Sequence, residues 1–264
     1  RGWKIWAFEP DHKNRAKLLE RLAAHKNRDL VTLDTRCVSH TSQKNLPFFQ
    51  SGESTGISGL SAFRDTHVEA QRVDTVSLSD YFADKEMPAV DFLKIDTEGH
   101  DLFVLQGFPW ERNRPRVIEC EFEDIKSKPL GYTTKDMADF LVGKGYTVYV
   151  SEWHPIQKYG QRHDWHRLHK YPCELACFEA WGNLLAFSEP PDEAKLIAAI
   201  KSVLKSAPKP AAPSGSASQK VSSPNLEATP CFTPAGPNRW VFAKAKAGKQ
   251  NLLIFKHPFK QSTA

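Results

Sequence analysis

The segment Val90-Asp91-Phe92-Leu93-Lys94-Ile95-Asp96-Thr97-Glu98-Gly99-His100-Asp101 decides how this chain can fold. Residues 92–95 have the aromatic and branched side chains of a buried parallel strand. Asp101 then begins a helical pattern that Gly107 ends. Ligands of open α/β sheets bind beyond the carboxyl ends of the strands, so the polar residues after Ile95 stand where a site is expected.

Three acids and a histidine occupy six positions after this strand: Asp96, Glu98, His100 and Asp101. Acids at a strand-to-helix turn often serve only as helix caps, which would account for one or two of them. The remaining ionisable groups favour a catalytic or binding site.

The pattern of the whole chain predicts an α/β fold in which helices cover both faces of a mostly parallel sheet. The expected strands are 4–8, 30–33, 92–95, 116–122, 146–150 and 184–187. One helix is expected after the cap residue Asp11, with its apolar period at 18–23, and the other expected helices are 78–82, 101–106, 135–142 and 192–204. Between them, residues 36–75 predict hairpins and a flexible loop at 51–56.

Composition divides the chain into three parts. Residues 1–205 predict one domain, and residues 206–230 form a linker rich in Pro, Ser and Ala. Residues 231–264 read as a β-hairpin tail, with apolar segments at 240–242 and 252–255. Because two strands alone are marginally stable, the tail either docks on the main domain or begins a second one, and we favour the second domain.

Composition also excludes several classes of protein. The 264 residues carry a net charge of +5, with 40% hydrophobic and 25% charged residues, as is usual for a soluble domain. The basic residues are dispersed and accompany no nucleic-acid motif, so no specific nucleic-acid partner is expected. No stretch reaches the ~20 apolar residues of a membrane span.

Five cysteines without a regular framework predict a reducing compartment, the cytoplasm. No pattern in the sequence indicates an oligomeric state.

The first strand ends in an acid, Glu9, followed by Pro10. A carboxylate in this position of a nucleotide-binding fold can accept both hydrogen bonds of a ribose diol. An acid before a capped helix is also common, so Glu9 alone leaves both interpretations open.

Several short motifs follow one another in a fixed order: Phe8-Glu9-Pro10, Cys37-Val38-Ser39, Ser54-Thr55-Gly56, Ser58-Gly59-Leu60, Val76-Ser77-Leu78, the 91–100 segment and Val104-Leu105-Gln106-Gly107. This series resembles the FkbM family of S-adenosylmethionine-dependent methyltransferases over roughly residues 3–188. The resemblance implies a Rossmann-like class I methyltransferase fold and O-methylation, often of sugar or polyketide hydroxyls.

The resemblance also implies roles for individual residues. Glu9 would bind the ribose hydroxyls of the cofactor, and residues 36–38 (Arg36, Cys37 and Val38) would lie beside adenine. Asp96, Glu98 and His100 would face the methyl-transfer pocket, with Asp96 close to the cofactor as well.

The chain departs from the family pattern at its beginning. The first strand of the family and its glycine-rich loop, of the form D-x-G-A-N-x-G, should precede Trp3. This loop lets the backbone approach the cofactor closely. We therefore expect a fragment whose sheet lacks the strand between 4–8 and 92–95, and which binds cofactor poorly.

Methyl transfer to oxygen is an in-line displacement that requires alignment and the loss of a proton from the acceptor hydroxyl. His100 has an ordinary pKa in the useful range for that proton, and Asp96 or Glu98 could orient it or bind the acceptor. The alternative is that Asp96 and Glu98 hold a divalent cation such as Mg²⁺.

A segment rich in aromatic residues and histidine follows at 153–181. Aromatic faces stack on sugar rings, so an acceptor-glycan site competes with simple packing against the sheet. Zinc binding is a weaker alternative, because the spacing of its histidines and cysteines fits no standard pattern. The residues concerned are Trp153, His154, Tyr159, His163, Trp165, His166, His169, Tyr171, Cys173, Cys177 and Trp181.

The strand at 116–122 and the residue after it place Glu119, Glu121 and Glu123 on one face. Glu121 and Glu123 either reach the rim of the pocket or bond to neighbouring backbone groups or arginine.

The leading hypothesis is an O-methyltransferase acting on a hydroxyl of a glycan or small molecule. The alternative is a non-catalytic carbohydrate-binding or scaffolding remnant of the same fold.

Overall fold

The computed structural model describes residues 3–156, 163–206 and 251–255. These residues form a mixed α/β structure, which confirms the expected class at that level. Its strands are β1 (Lys4–Phe8), β2 (Val31–Asp34), β3 (Cys37–Val38), β4 (Leu46–Ser51), β5 (His67–Val73), β6 (Thr75–Val76), β7 (Phe92–Ile95), β8 (Val117–Glu123), β9 (Thr147–Trp153), β10 (Trp165–Lys170), β11 (Trp181–Phe187) and β12 (Asn251–Phe255).

Six α-helices connect or flank these strands within the described ranges. They are α1 (His12–Ala23), α2 (Leu78–Tyr81), α3 (Asp101–Gln106), α4 (Asp124–Ser127), α5 (Thr134–Gly143) and α6 (Glu193–Ser206). Asp11 caps α1 through hydrogen bonds from the backbone N–H groups of Lys13 and Asn14, as predicted. Within the described ranges, no helix has the length and apolar character needed to cross a membrane.

The main sheet has eight strands in the order β10-β9-β11-β8-β7-β12-β1-β2. The half that runs from β8 to β2 is parallel, whereas β11, β9 and β10 pair antiparallel. Because β11 is antiparallel to both β8 and β9, β9 runs in the same direction as β8. The prediction of a mostly parallel sheet is therefore right for six strands and wrong for β10 and β11, which run the opposite way. Antiparallel neighbours need no crossover helix, so these two strands can flank β9 without one.

The position between β1 and β7, expected to be empty, is taken by β12. Ile254 lies opposite Ala7 on one side and Lys94 on the other, in parallel register with both. Without a strand between them, β1 and β7 would each leave a row of backbone N–H and C=O groups without partners. The apolar five-residue strand β12 supplies those partners. Residues 207–250, with the predicted linker and the 240–242 segment, lie outside the described residues, so the division into domains stays a prediction.

Two smaller pairs lie beyond the edge of the sheet. β4 and β5 form an antiparallel hairpin, which confirms the hairpin prediction for this region, and β3 pairs with β6 in parallel. A backbone bridge from Phe49 to Gly59 ties the following loop to the hairpin. Ser58 and Gly59 of this loop line the same pocket as Phe8 and Glu9 at the end of β1.

The hydrophobic core lies on the face of the sheet that α3 and α5 cover. Leu93, Ile118 and Leu184 have no exposed surface, and Leu105 of α3 and Leu141 of α5 pack into the same cluster. Burying each such side chain contributes about 1.5–3 kcal/mol. The core therefore fixes β7 and β8, whose carboxyl ends carry the acids singled out by the sequence.

Candidate active site

A small concave site opens at the carboxyl ends of β1 and β7. It brings together five residues predicted from the sequence, namely Glu9, Cys37, Val38, Asp96 and His100, beside Phe8, Pro10, Phe48, Ser58, Gly59, Leu60 and Thr97.

Glu9 lies at the end of β1 and is 2% exposed. Its Oε1 accepts a hydrogen bond of 2.9 Å from the backbone N–H of Asp11, which begins α1. Burial raises the pKa of Glu9 from 4.5 to about 8, an effect that this hydrogen bond opposes and the neighbouring Asp11 carboxylate reinforces. Burial makes the charged form of this carboxyl group unfavourable. Ligand hydroxyls that donate hydrogen bonds to it stabilise that charged form.

The raised pKa of Glu9 predicts a dependence of stability on pH. Between about pH 4.5 and 8 the folded chain retains a proton that the unfolded chain releases, so the free energy of unfolding falls as pH rises through this window. We expect Glu9→Gln to flatten that fall, measured by chemical denaturation at about pH 5 and about pH 8. The exposed Glu20→Gln variant on α1 is the control, and equal profiles for wild type and Glu9→Gln would contradict the assignment.

The turn after β7 has a special backbone conformation. Glu98 and Gly99 have φ values of 55° and 99°, both in the left-handed region. Tyr132 donates a hydrogen bond of 2.7 Å to the carbonyl of Gly99, and the hydroxyl of Thr97 lies 3.0 Å from Asp101 Oδ2. These bonds hold the turn so that Asp96 and His100 flank it on the side of the pocket.

His100 presents its ring to the pocket and packs against Phe103, with ring centroids 5.4 Å apart. Its Nδ1 is buried and has no hydrogen-bond partner among the described residues. Burial, with a smaller contribution from His40, lowers the pKa of His100 from 6.5 to about 4. The imidazole is therefore neutral at pH 7, but because burial disfavours its protonated form it is a weaker base than the ordinary pKa led us to expect.

Asp96 lies beside the buried Lys94. The Nζ of Lys94 is 3.5 Å from Asp96 Oδ2 and 2.9 Å from Glu119 Oε1. Burial would lower the pKa of Lys94, but the attraction of these two carboxylates outweighs it and raises the pKa above its ordinary value. Lys94 stays charged and compensates both acids.

Glu98 faces away from the lining of the pocket, into a lysine–glutamate cluster formed by Lys126, Glu98, Glu121 and Glu123. Lys126, 3% exposed, lies 2.6 Å from Glu98, 2.9 Å from Glu121 and 2.8 Å from Glu123. Burial and the neighbouring carboxylates raise the pKa of Glu98 and Glu121, although Lys126 opposes this. Glu98 thus holds the turn in place. Glu121 and Glu123 bond to a lysine, whereas the sequence analysis had expected the rim of the pocket, backbone groups or arginine as their surroundings.

Asp96, Glu98 and Glu121 form the one group in the described residues with the spacing of a metal site, their oxygens within 4.8 Å of one another. Lys126 already engages two of these carboxylates, so a divalent cation would have to displace its ammonium group. The histidines and cysteines considered for zinc form no such group within the described ranges.

Arg36 lies outside the lining of the pocket. Its guanidinium forms a bidentate pair with Asp34, with bonds of 2.9 and 2.7 Å, and stands 5.5 Å from the ring centroid of Tyr81. Although burial alone would raise the pKa of Asp34, the hydrogen bonds from Arg36 lower it. Cys37 and Val38, directly after this pair, do reach the pocket.

Comparison with known proteins decides the family. The model of the FkbM methyltransferase domain matches residues 1–148, more than half of the chain. This chain belongs to the FkbM methyltransferase family.

A solved FkbM methyltransferase, from Methylobacillus flagellatus KT, is similar to this chain at 16% sequence identity and a TM-score of 0.39. The similarity covers 70% of this chain and 36% of the other, so the chain spans about a third of that protein's length. No curated protein matches the chain.

The segment beyond the matched FkbM domain contains the aromatic residues. Trp153 and Trp181 stack with ring centroids 5.8 Å apart, and His163 meets Trp181 edge-on at 5.1 Å. His154 and His166 lie 4.5 Å apart. Tyr171 is separate, bonded to Asp139, His169 lies on β10, and Tyr159 falls outside the described residues.

Sequence reasoning missed Lys94 and Lys126 as parts of this FkbM site. Lys94 interrupts an apolar strand, and Lys126 follows Glu123 by three positions at the start of a helix. A lysine inside a strand that reads as buried is itself a signal, because burial of an ammonium requires carboxylate partners.

Proposed function

We propose that this chain is an S-adenosylmethionine-dependent O-methyltransferase that acts on a hydroxyl of a glycan or small molecule, on a Rossmann-like class I sheet. One observation carries the proposal: the carboxylate of Glu9 and the polar groups of Asp96 and His100 face one pocket across the ends of β1 and β7. This is the edge at which parallel α/β sheets bind ligands.

The groups that line the pocket fit the cofactor. Glu9 offers a buried carboxylate to a pair of ribose hydroxyls, and Cys37 and Val38 provide an apolar wall for adenine. When bound, S-adenosylmethionine supplies a methyl group on a positively charged sulfur.

The chemical step requires a proton acceptor beside the acceptor hydroxyl. His100 is neutral at pH 7 and takes this role, with Asp96 orienting the hydroxyl or the ring. Glu98 acts as a positioning residue, because its carboxylate is engaged by Lys126. Phe8 and Phe48 exclude water from the pocket.

The proposed location is the cytoplasm. Cys37, Cys120 and Cys173 are free thiols in the described part of the chain, which supports a reducing compartment.

The decisive measurement is calorimetric titration of the full chain with S-adenosylmethionine. The titration extends to millimolar cofactor, so that weak binding is also measured. We expect binding that Glu9→Ala weakens by about tenfold or more, since hydrogen bonds to a charged group contribute about 1.5–3 kcal/mol. Glu20→Ala, on the exposed face of α1, should leave it unchanged.

Absence of cofactor binding, or binding indifferent to Glu9→Ala, would sink the proposal. The non-catalytic carbohydrate-binding remnant would then be the better interpretation.

A further inference from the structure

Two glutamines of the β4–β5 hairpin hold the turn that follows Glu9. Gln71 on β5 donates a hydrogen bond of 2.7 Å from Nε2 to the carbonyl of Pro10. Gln50 on β4 donates one of 2.9 Å from Nε2 to Asp11 Oδ2. We call Gln50 and Gln71 the hairpin glutamines. They connect the hairpin to the end of β1.

The contact with Pro10 reaches the carboxylate of Glu9 through a rigid group. The carbonyl of Pro10 and the N–H of Asp11 belong to one planar peptide unit, in which they point in opposite directions. This N–H donates to Glu9 Oε1 at 2.9 Å. Because the unit is planar, a donor that holds the carbonyl also fixes the direction of the N–H. Gln71 therefore helps to orient the Glu9 carboxylate.

The orientation of both side-chain amides is set by their second partners. Gln71 Oε1 accepts a hydrogen bond of 3.4 Å from the backbone N–H of His12, and Gln50 Oε1 accepts one of 3.0 Å from Lys13 Nζ. Both partners can only donate, so each glutamine directs its NH₂ group toward the turn after Glu9.

The cap of α1 uses a different oxygen of Asp11 from the one that Gln50 contacts. Oδ1 accepts from the backbone N–H groups of Lys13 and Asn14, whereas Oδ2 accepts from Gln50. The bond to Gln50 is therefore additional to helix capping.

The hairpin that carries the glutamines also forms part of the pocket. Phe48 lines the pocket and lies opposite Gln71 in the hairpin register. One element thus contributes a wall of the pocket and holds the turn beside Glu9.

We infer that the hairpin glutamines are positioning residues, which orient the Glu9 carboxylate to accept both hydroxyls of the cofactor ribose. The inference rests on the proposed function, because it concerns cofactor binding at that same site. Arg15 of α1 donates to the Pro10 carbonyl as well, at 3.0 Å, so the loss of Gln71 alone should weaken the positioning only in part.

The test compares two probes by calorimetric titration of the full chain. One is S-adenosylhomocysteine, and the other is its 2′,3′-dideoxy analogue, which lacks the ribose hydroxyls. We expect wild type to prefer the first probe about tenfold or more, because a carboxylate gains strongly from hydroxyl donors. The Gln50→Met/Gln71→Met variant should reduce this preference to about threefold or less, since its Glu9 carboxylate is less well oriented.

Gln43→Met is the matched control. Gln43 is an exposed glutamine between β3 and β4, so this variant should keep the full preference.

The ratio of the two affinities separates positioning from a purely structural role. A general loosening of the pocket would weaken both probes equally and leave the preference unchanged. That result for the folded double variant would overturn the inference. If the double variant fails to fold, Gln71→Glu gives the same comparison, because it keeps the size of the side chain and places an acceptor against the Pro10 carbonyl.

The behaviour of wild type distinguishes the two proposals. Binding of neither probe, or equal binding of both, would reject the proposed function together with this inference. A preference that is present in wild type and intact in the double variant would reject the inference alone.

Discussion

Replacing Lys126 with methionine is expected to destabilise the folded chain by about 3–5 kcal/mol. Methionine retains the length and apolar stem of lysine but removes the ammonium group that lies within 2.9 Å of Glu98, Glu121 and Glu123. Three buried carboxylates would then face one another without a cation. Urea denaturation at neutral pH measures the loss.

The neighbouring Lys128→Met variant is the matched control. Lys128 is 43% exposed and pairs with Asp124 at 3.4 Å, so its loss should cost less than about 1 kcal/mol. The defect of Lys126→Met should also shrink at acidic pH, where the glutamates take up protons. Equal stability of the two variants at neutral pH would refute the central role of Lys126.

Replacing Gly99 with alanine should destabilise the chain by about 2–4 kcal/mol and distort the turn that carries Asp96 and His100. The φ of 99° at this position is unfavourable for any residue with a Cβ. A Cβ would also lie 2.9 Å from the Cβ of Lys126, whose buried side chain has little freedom to move. Thermal unfolding and cofactor titration together measure the two effects.

Gly52→Ala provides the control for this substitution. A Cβ at Gly52 meets no atom within 4 Å, so alanine there should be nearly neutral. A Gly99→Ala variant that unfolds like wild type would show that the left-handed conformation of the turn is not required.

The parts of the fold that depend on local sequence were predictable. The strand 92–95, the helix after Asp101 and the cap at Asp11 follow from side-chain pattern and capping chemistry within a few residues. β10 was missed, because the sequence Trp-His-Arg-Leu-His-Lys lacks the alternation of apolar and polar residues that marks a strand.

The site was predictable only in part. Glu9, Asp96 and His100 each follow a strand, so their meeting at one edge could be expected from topology. The engagement of Glu98 by Lys126 and of Asp96 by Lys94 depends on the backbone turn at Glu98 and on the register between β7 and β8. Neither is encoded in the spacing of residues along the chain.

The position of β12 in the sheet also affects how this protein folds. Lys4 pairs with Asn251, so the centre of the sheet joins residues that are almost the whole chain apart. Loop closure over such a separation is entropically costly, and folds dominated by distant contacts form slowly. During synthesis, β1 and β7 emerge long before β12, so the backbone groups that pair with β12 in the folded protein wait for a strand from the far end of this sequence.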